Sequence, residues 1–364
     1  MDELVGRLAI YCALGRDVRT FRKALLGHPT AESALADPST SARVRAATTR
    51  EFLDEAHEVA DRAAADGLAF TWPGRPDFPE ALRVTGCQLL CTTGALPAAE
   101  EEVFGGAAGA PALSVVGSRE ADAYGVEIAA LLGRACARVS RGVVSGAAVG
   151  VDRAAHGAVL EAGGWTAVFL GTGLSVGLQR DAWARDALGT GRAWFASELL
   201  PEAAGAAWTF PDRNRLIAAM GRATVVVQAA RKSGTLHTAR FAREYGRSVF
   251  AVPGDLGMPQ TEGVLDLLHG GTAVVLRHPL DLEGALGVRG LRAVEWPTAR
   301  VRDHRSARAP VGGPVTELLT RRGALPAALI DAALGESASA LLLEAELSGL
   351  VRRDGQGLYH LITG

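Results

Sequence analysis

Lysine is almost absent from this chain: of 38 basic residues only Lys23 and Lys232 are lysines, and arginine carries the rest. GC-rich codon usage gives such a bias by itself; functionally, arginine's planar fork suits phosphate oxygens and stacks on bases. An excess of positive charge is missing as well. The net charge of −2 and pI near 6.5 exclude a global attraction for polyanions and leave only a local one. No apolar run reaches the roughly 18 residues that a transmembrane helix needs. Met1-Asp2-Glu3 lacks the basic opening of a secretory signal. The four cysteines, Cys12, Cys87, Cys91 and Cys136, form no CxxC pair. That speaks against a zinc ribbon or a disulfide framework, and for a reduced, cytoplasmic protein without a metal.

What the chain has is 364 residues at 48% hydrophobic content, enough for two or three domains. Leu4, Leu8, Ile10, Tyr11 and Leu14 recur at helical spacing, and residues 1–66 read as a small helical domain. Turn signals and a glycine-rich loop at 105–109 lead into the centre of the chain. There, apolar runs at 113–116, 143–145, 166–170, 194–196, 224–227 and 248–252 alternate with helices starting near Tyr124, Asp152, Asp181, Asn214 and Thr235. This rhythm predicts an α/β fold, a Rossmann-like parallel sheet covered on both faces, over residues 67–288. Residues 289–310 carry Arg289, Arg292, Arg300, Arg302, Arg305 and Arg308 against Glu295 and Asp303, and read as a basic linker. Three short helices and a hairpin through Asp354-Gly355-Gln356-Gly357 make residues 311–364 winged-helix-like.

Ligands of open parallel sheets sit beyond the carboxyl ends of the strands. Three small-residue loops fall there: Gly117-Ser118-Arg119, Ser145-Gly146, and Lys232-Ser233-Gly234-Thr235. Each stands between a strand and a helix N-terminus, where free N–H groups and the helix dipole favour phosphate. A fourth stretch, Trp208 to Ile217, places Phe210 where it can stack on a base or pack in the core. It also places Arg213, Asn214 and Arg215 at a helix start, where the arginines bind phosphates or enter structural ion pairs. Asp152 and His156 share a helix face, but no third ligand lies nearby; the plainer reading is a carboxylate favoured by the helix dipole and a core histidine. Gly171-x-Gly173 is followed by Gly177, which is not dinucleotide spacing. Ser145, Ser233 and His237 assemble no nucleophile–base pair. The expectation is therefore no catalytic residue and no cofactor.

Several motifs together resemble the bacterial DNA-processing protein A family (DprA, or Smf). They are Val115-Val116-Gly117-Ser118-Arg119, Ser145-Gly146 with Gly150-Val151-Asp152 and Ala154-Ala155-His156, Gly171-Thr172-Gly173-Leu174, Phe210-Pro211 with Arg213-Asn214-Arg215, Ser233-Gly234-Thr235 with Thr238-Ala239-Arg240, and Val249-Phe250-Ala251-Val252-Pro253-Gly254. The resemblance runs in family order over about 110–285. It implies a non-catalytic binder of single-stranded DNA that forms a homodimer through its central domain and loads RecA recombinase during natural transformation. It puts the DNA-contacting arginine on Arg119, with further basic contacts near Arg180 and on Arg213 and Arg215. The chain departs from the family at Ala147-Ala148-Val149, where an arginine is usual. It departs also at Leu178-Gln179, where Tyr-Pro is usual, and at Gln228, where glutamate is common. The alternative is a nucleotide sensor or an enzyme like the cytokinin-activating phosphoribohydrolases. Their catalytic glutamate would fall where His237 stands.

Overall fold

The computed structural model describes residues 1–94, 112–293, 315, 318–319, 322–334, 342, 351–354 and 357–361. Contacts divide the chain into two units, Met1–Trp296 and Pro297–Gly364.

The first unit is built on one nine-stranded sheet. Its strands are β1 (Ala69–Thr71), β2 (Leu90–Thr92), β3 (Ala112–Val116), β4 (Val143–Ser145), β5 (Thr166–Phe169), β6 (Ala193–Ser197), β7 (Gly221–Val226), β8 (Ser248–Ala251) and β9 (Val274–Val275), in the order β1-β2-β6-β5-β4-β3-β7-β8-β9. From β3 to β9 all neighbours are parallel; β1 and β2 continue one side as antiparallel strands. The short apolar runs become strands because both sheet faces are buried, so no polar alternation is needed. In β3, Leu113 and Val115 pack on one face while Ala112 and Val116 pack on the other.

The helices that follow β3 and β4, α6 (Ala123–Arg138) and α7 (Val151–Glu161), cover the first face. The second face is covered by α10 (Thr209–Met220), α11 (Thr235–Glu244) and α12 (Pro259–His269). Two short helices, α8 (Leu174–Arg180) and α9 (Ala182–Gly189), connect β5 to β6. The helix expected near Asn214 begins earlier, at Thr209. Pro211 is no obstacle, because a first-turn residue has no intrahelical N–H bond to lose. The exposed pair in β9 was not foreseen: two residues show no periodicity.

Of the N-terminal helices α1 (Glu3–Ala13), α2 (Val18–Leu25), α3 (Ala31–Ala36), α4 (Ala42–Ala46) and α5 (Arg50–Ala65), the first four start on side-chain caps at Asp2, Asp17, Thr30 and Ser41, which satisfy first-turn N–H groups. They do not form a body apart from the sheet. Leu8, Ile10 and Phe21 lie in one hydrophobic cluster with Leu113, Val115, Val168 and Phe195. Tyr11 Oη donates to the Glu198 carbonyl at 3.1 Å, and Arg7 to the Gln88 carbonyl at 2.8 Å. The expected boundary after residue 66 is thus no structural break. The linker expected from residue 289 also starts later, since Leu291 is buried and its N–H donates to Glu283 at 2.7 Å.

In the second unit, β10 (Leu325–Pro326), β11 (Val351–Arg353) and β12 (Leu358–Leu361) form an antiparallel sheet in the order β10-β12-β11, with α13 (Ala327–Leu334) between β10 and β11 in sequence. Val315, Leu319, Ile330, Leu342, Val351 and Tyr359 make its small core. Most of the helix expected at 339–350, the loop at 105–109 and the linker from 294 to 310 lie outside the described residues.

Candidate functional site

The strand order reverses at β3, which pairs with β4 on one side and β7 on the other. A crevice opens beyond the carboxyl ends at such a point. The loop 117–122 rises on one side of it and the loop 227–234 on the other. Thr235 Oγ1 donates to the Gly117 carbonyl at 3.1 Å, and the Ser118 carbonyl accepts the Val151 N–H at 3.3 Å. The N–H groups of Ser118, Arg119, Lys232 and Gly234 have no hydrogen-bond acceptor among the described residues. Arg119 and Lys232 are exposed, and neither pairs with a carboxylate among those residues. Ser233 Oγ is engaged, accepting the Thr235 N–H at 3.2 Å. Asn214, in the first turns of α10, donates to the Gly234 carbonyl at 3.2 Å and so ties that helix to the third loop.

The second expected loop does something different. Ser145 is buried and its Oγ donates to the Val115 carbonyl at 2.6 Å. The Gly146 N–H donates to Asp152 Oδ2 at 3.1 Å. The anion held by this loop is the protein's own carboxylate, so Ser145 and Gly146 are not open to an external phosphate. The chain reaches this geometry through Gly150, whose φ of +92° a residue with a side chain rarely adopts. Burial pushes the Asp152 carboxyl above its usual range, against the pull of Arg213 and its hydrogen bonds.

Arg213 lies beneath that loop, 8% exposed, with its guanidinium packed on Gly146 and donating to the Phe169 carbonyl. Burial lowers its pKa to about 10; Asp152 opposes the shift and Arg119 adds to it. Arg119 therefore lies within electrostatic reach of a second, buried cation. Arg215 is 4% exposed and corrects the expectation of a surface contact. It pairs with Glu198, donates to the Thr85 carbonyl at 3.0 Å and lies 3.8 Å from Asp212. Burial is the largest influence and opposes its charge, but Glu198, Cys87 and Asp212 together outweigh it and its pKa is raised. Arg22 of α2 shares both carboxylates, at 3.1 Å from Asp212 and 3.5 Å from Glu198. A buried guanidinium is tolerated only with such partners.

Phe210 is half-buried, 36% exposed, and packs over Gly171 at the tip of β5. Arg180 is exposed at the end of α8. Arg153, in the first turn of α7, donates to Asp181 at 2.5 Å and lies over Trp183. His156 is a core residue: Nδ1 meets Thr166 Oγ1 at 2.5 Å, its ring faces Trp183, and burial with Arg213 and Arg153 nearby lowers its pKa to about 3. Among the described residues no cluster of potential metal ligands occurs, and no helix is long and apolar enough to cross a membrane.

Sequence reasoning missed Asp122, and named Gln228 only as a departure from the family without a role. Gln228 is buried; its Nε2 donates to Asp122 Oδ1 at 2.9 Å, and its Oε1 accepts the Asp122 N–H at 3.3 Å. Asp122 also caps α6, accepting the Gly125 N–H at 2.8 Å. The available signal was an aspartate three residues before a helical glycine, the usual spacing of a cap.

Fold and edge together define an open parallel α/β protein with an anion-ready crevice at its strand reversal. The family profile described as DNA recombination-mediator protein A matches residues 71–285, and the chain belongs to that family. It is 38% identical to Protein Smf of Escherichia coli over 164 residues, 45% of this chain and 44% of that one. It is 39% identical to the putative DNA processing protein DprA of Mycobacterium tuberculosis (strain H37Rv) over 166 residues, 46% and 43% of the two chains. The matches thus span less than half the length of these relatives. The X-ray structure of DNA processing protein A from Streptococcus pneumoniae superposes with a TM-score of 0.53 at 27% identity, covering 69% of this chain and 84% of that chain.

Proposed function

We propose that this chain is a recombination mediator that binds single-stranded DNA across the crevice between the 117–122 and 227–234 loops, without catalysing a reaction on it. The observation that carries this reading is the pair of loops with unused N–H groups flanking an exposed Arg119, whose charge no carboxylate among the described residues neutralises. The strand's phosphates would take the N–H groups of Ser118, Arg119, Lys232 and Gly234, with Arg119 and Lys232 supplying charge. Arg180 and Phe210 would extend the path, Phe210 by stacking, at about 1–3 kcal/mol per base. Arg213 would act from below, through its field and by holding the strand tips. Backbone contacts carry no base information, so sequence preference should be small. Family membership supports the mediator role, with RecA recombinase as partner, a homodimer as the working form and the cytoplasm as its place.

The test is competition for a labelled oligo-dT. Unlabelled single strand should displace it, whereas duplex of equal length and nucleoside monophosphate should compete far less. Equal displacement by a monophosphate would favour a nucleotide sensor on the same loops, and release of its base would overturn the non-enzymatic reading. Sedimentation at rising concentration should show a dimer.

A further inference from the structure

The loop that carries Arg119 is gripped at both ends by the segment following β7. At its start, Gly117 accepts from Thr235 Oγ1 at 3.1 Å. At its end, Asp122 exchanges two hydrogen bonds with the Gln228 side chain, 2.9 and 3.3 Å long. Between these anchors Arg119 and Glu120 are exposed. Gln228 is buried, and α6 packs so closely on it that a Cβ at Gly125 would run into its amide. From this geometry we infer that Gln228 is a positioning residue for the nucleic-acid contact: its amide, reading the Asp122 carboxylate and N–H at once, sets where Arg119 stands. The inference rests on the binding reading above and deepens it.

The chemistry requires an amide. Asp122 offers one donor, its N–H, and one acceptor, its carboxylate; a neutral amide answers both. A carboxylate at position 228 would still accept from the N–H but, itself buried, would face the carboxylate of the exposed Asp122. Like charge then favours a proton held between the two, with burial adding to it at position 228. The charged and titratable groups around this contact are Asp122, Tyr124, whose hydroxyl donates to the Pro253 carbonyl at 3.2 Å, and Asp255 beyond it. Arg119 and Glu120 follow on the loop itself. None is a cation placed between the two side chains.

The test uses the full chain with Gln228→Glu, and the double variant Asp122→Asn/Gln228→Glu, which restores one amide facing one carboxylate with the roles exchanged. Oligo-dT affinity of Gln228→Glu should approach wild type at low pH and fall about tenfold as pH rises, the value of a lost hydrogen bond to a charged group. The double variant should recover affinity and a wild-type pH profile. Amide exchange at residues 118–125, read on the free proteins, should rise with pH in the single variant beyond the intrinsic increase and be restored in the double. A flat profile in Gln228→Glu, or a double variant no better than the single, would overturn the inference. If wild type fails to bind oligo-dT while the exchange pattern follows expectation, the clamp stands and the binding reading falls.

Discussion

Arg119 and Arg215 are both arginines near one sheet edge, and both match a motif of the same family. They do opposite work. Arg119 is exposed on a loop with no carboxylate partner among the described residues, while Arg215, in α10, is almost wholly buried against Glu198 and Asp212. The difference lies in what surrounds each guanidinium. Charge left unpaired at a surface is cheap, because water solvates it and an incoming anion can replace that water. Charge inside must be paired, and the pairing consumes the capacity to bind anything else.

The largest expected effect breaks the comparison from the buried side. Arg215→Ala leaves Glu198 in a buried site with Arg22, at 3.5 Å, as its one remaining cation among the described residues. Denaturant unfolding should show a loss of about 3–5 kcal/mol. If the variant keeps wild-type stability yet loses DNA affinity, Arg215 is a contact after all.

His156 sharpens the same point with a proton instead of a substitution. Its pKa falls from 6.5 to about 3 on folding, so the folded state keeps it neutral. Above pH 6.5 both states are neutral there and the group contributes no pH dependence. Below 6.5 the unfolded chain takes the proton first, and stability falls by up to about 1.4 kcal/mol per pH unit until the folded pKa is reached. Between pH 6.5 and 4.5 this amounts to roughly 2–3 kcal/mol. Thermal unfolding of His156→Gln should show a shallower acid loss than wild type over that window. Parallel curves would mean that His156 is not the group responsible.

The smallest effect belongs to the exposed side. Arg119→Ala should change stability by no more than about 0.5 kcal/mol, since a loop arginine adds little to the core. A larger loss in denaturant unfolding would show that Arg119 has a structural partner.

Much of the sheet was legible from sequence because strands buried on both faces are continuous apolar runs, and β3 to β8 all read that way. The free N–H groups of the loops at 117–119 and 232–235 were legible because glycine and serine between a strand and a helix tend to leave the backbone open, although the like loop at Ser145-Gly146 is closed by Asp152. The fates of Arg213 and Arg215 were not. Their partners come from Phe169, Asp152, Glu198 and Thr85, and no local pattern reveals which carboxylate folding brings to a guanidinium. The same holds for Gly146: its N–H looks free in the sequence, and only the fold shows Asp152 turned back onto it. Likewise Gln228 lies 106 residues from Asp122, beyond any local signal.

The central claim is that Arg119 is the exposed charge that meets phosphate. The most direct measurement is oligo-dT affinity against salt for wild type and Arg119→Ala. Wild type should give a straight line of log affinity against log salt. Arg119→Ala should bind more weakly with a slope smaller by about 0.7, one phosphate's worth on a single strand. Equal affinity and equal slope would place the DNA elsewhere on the molecule.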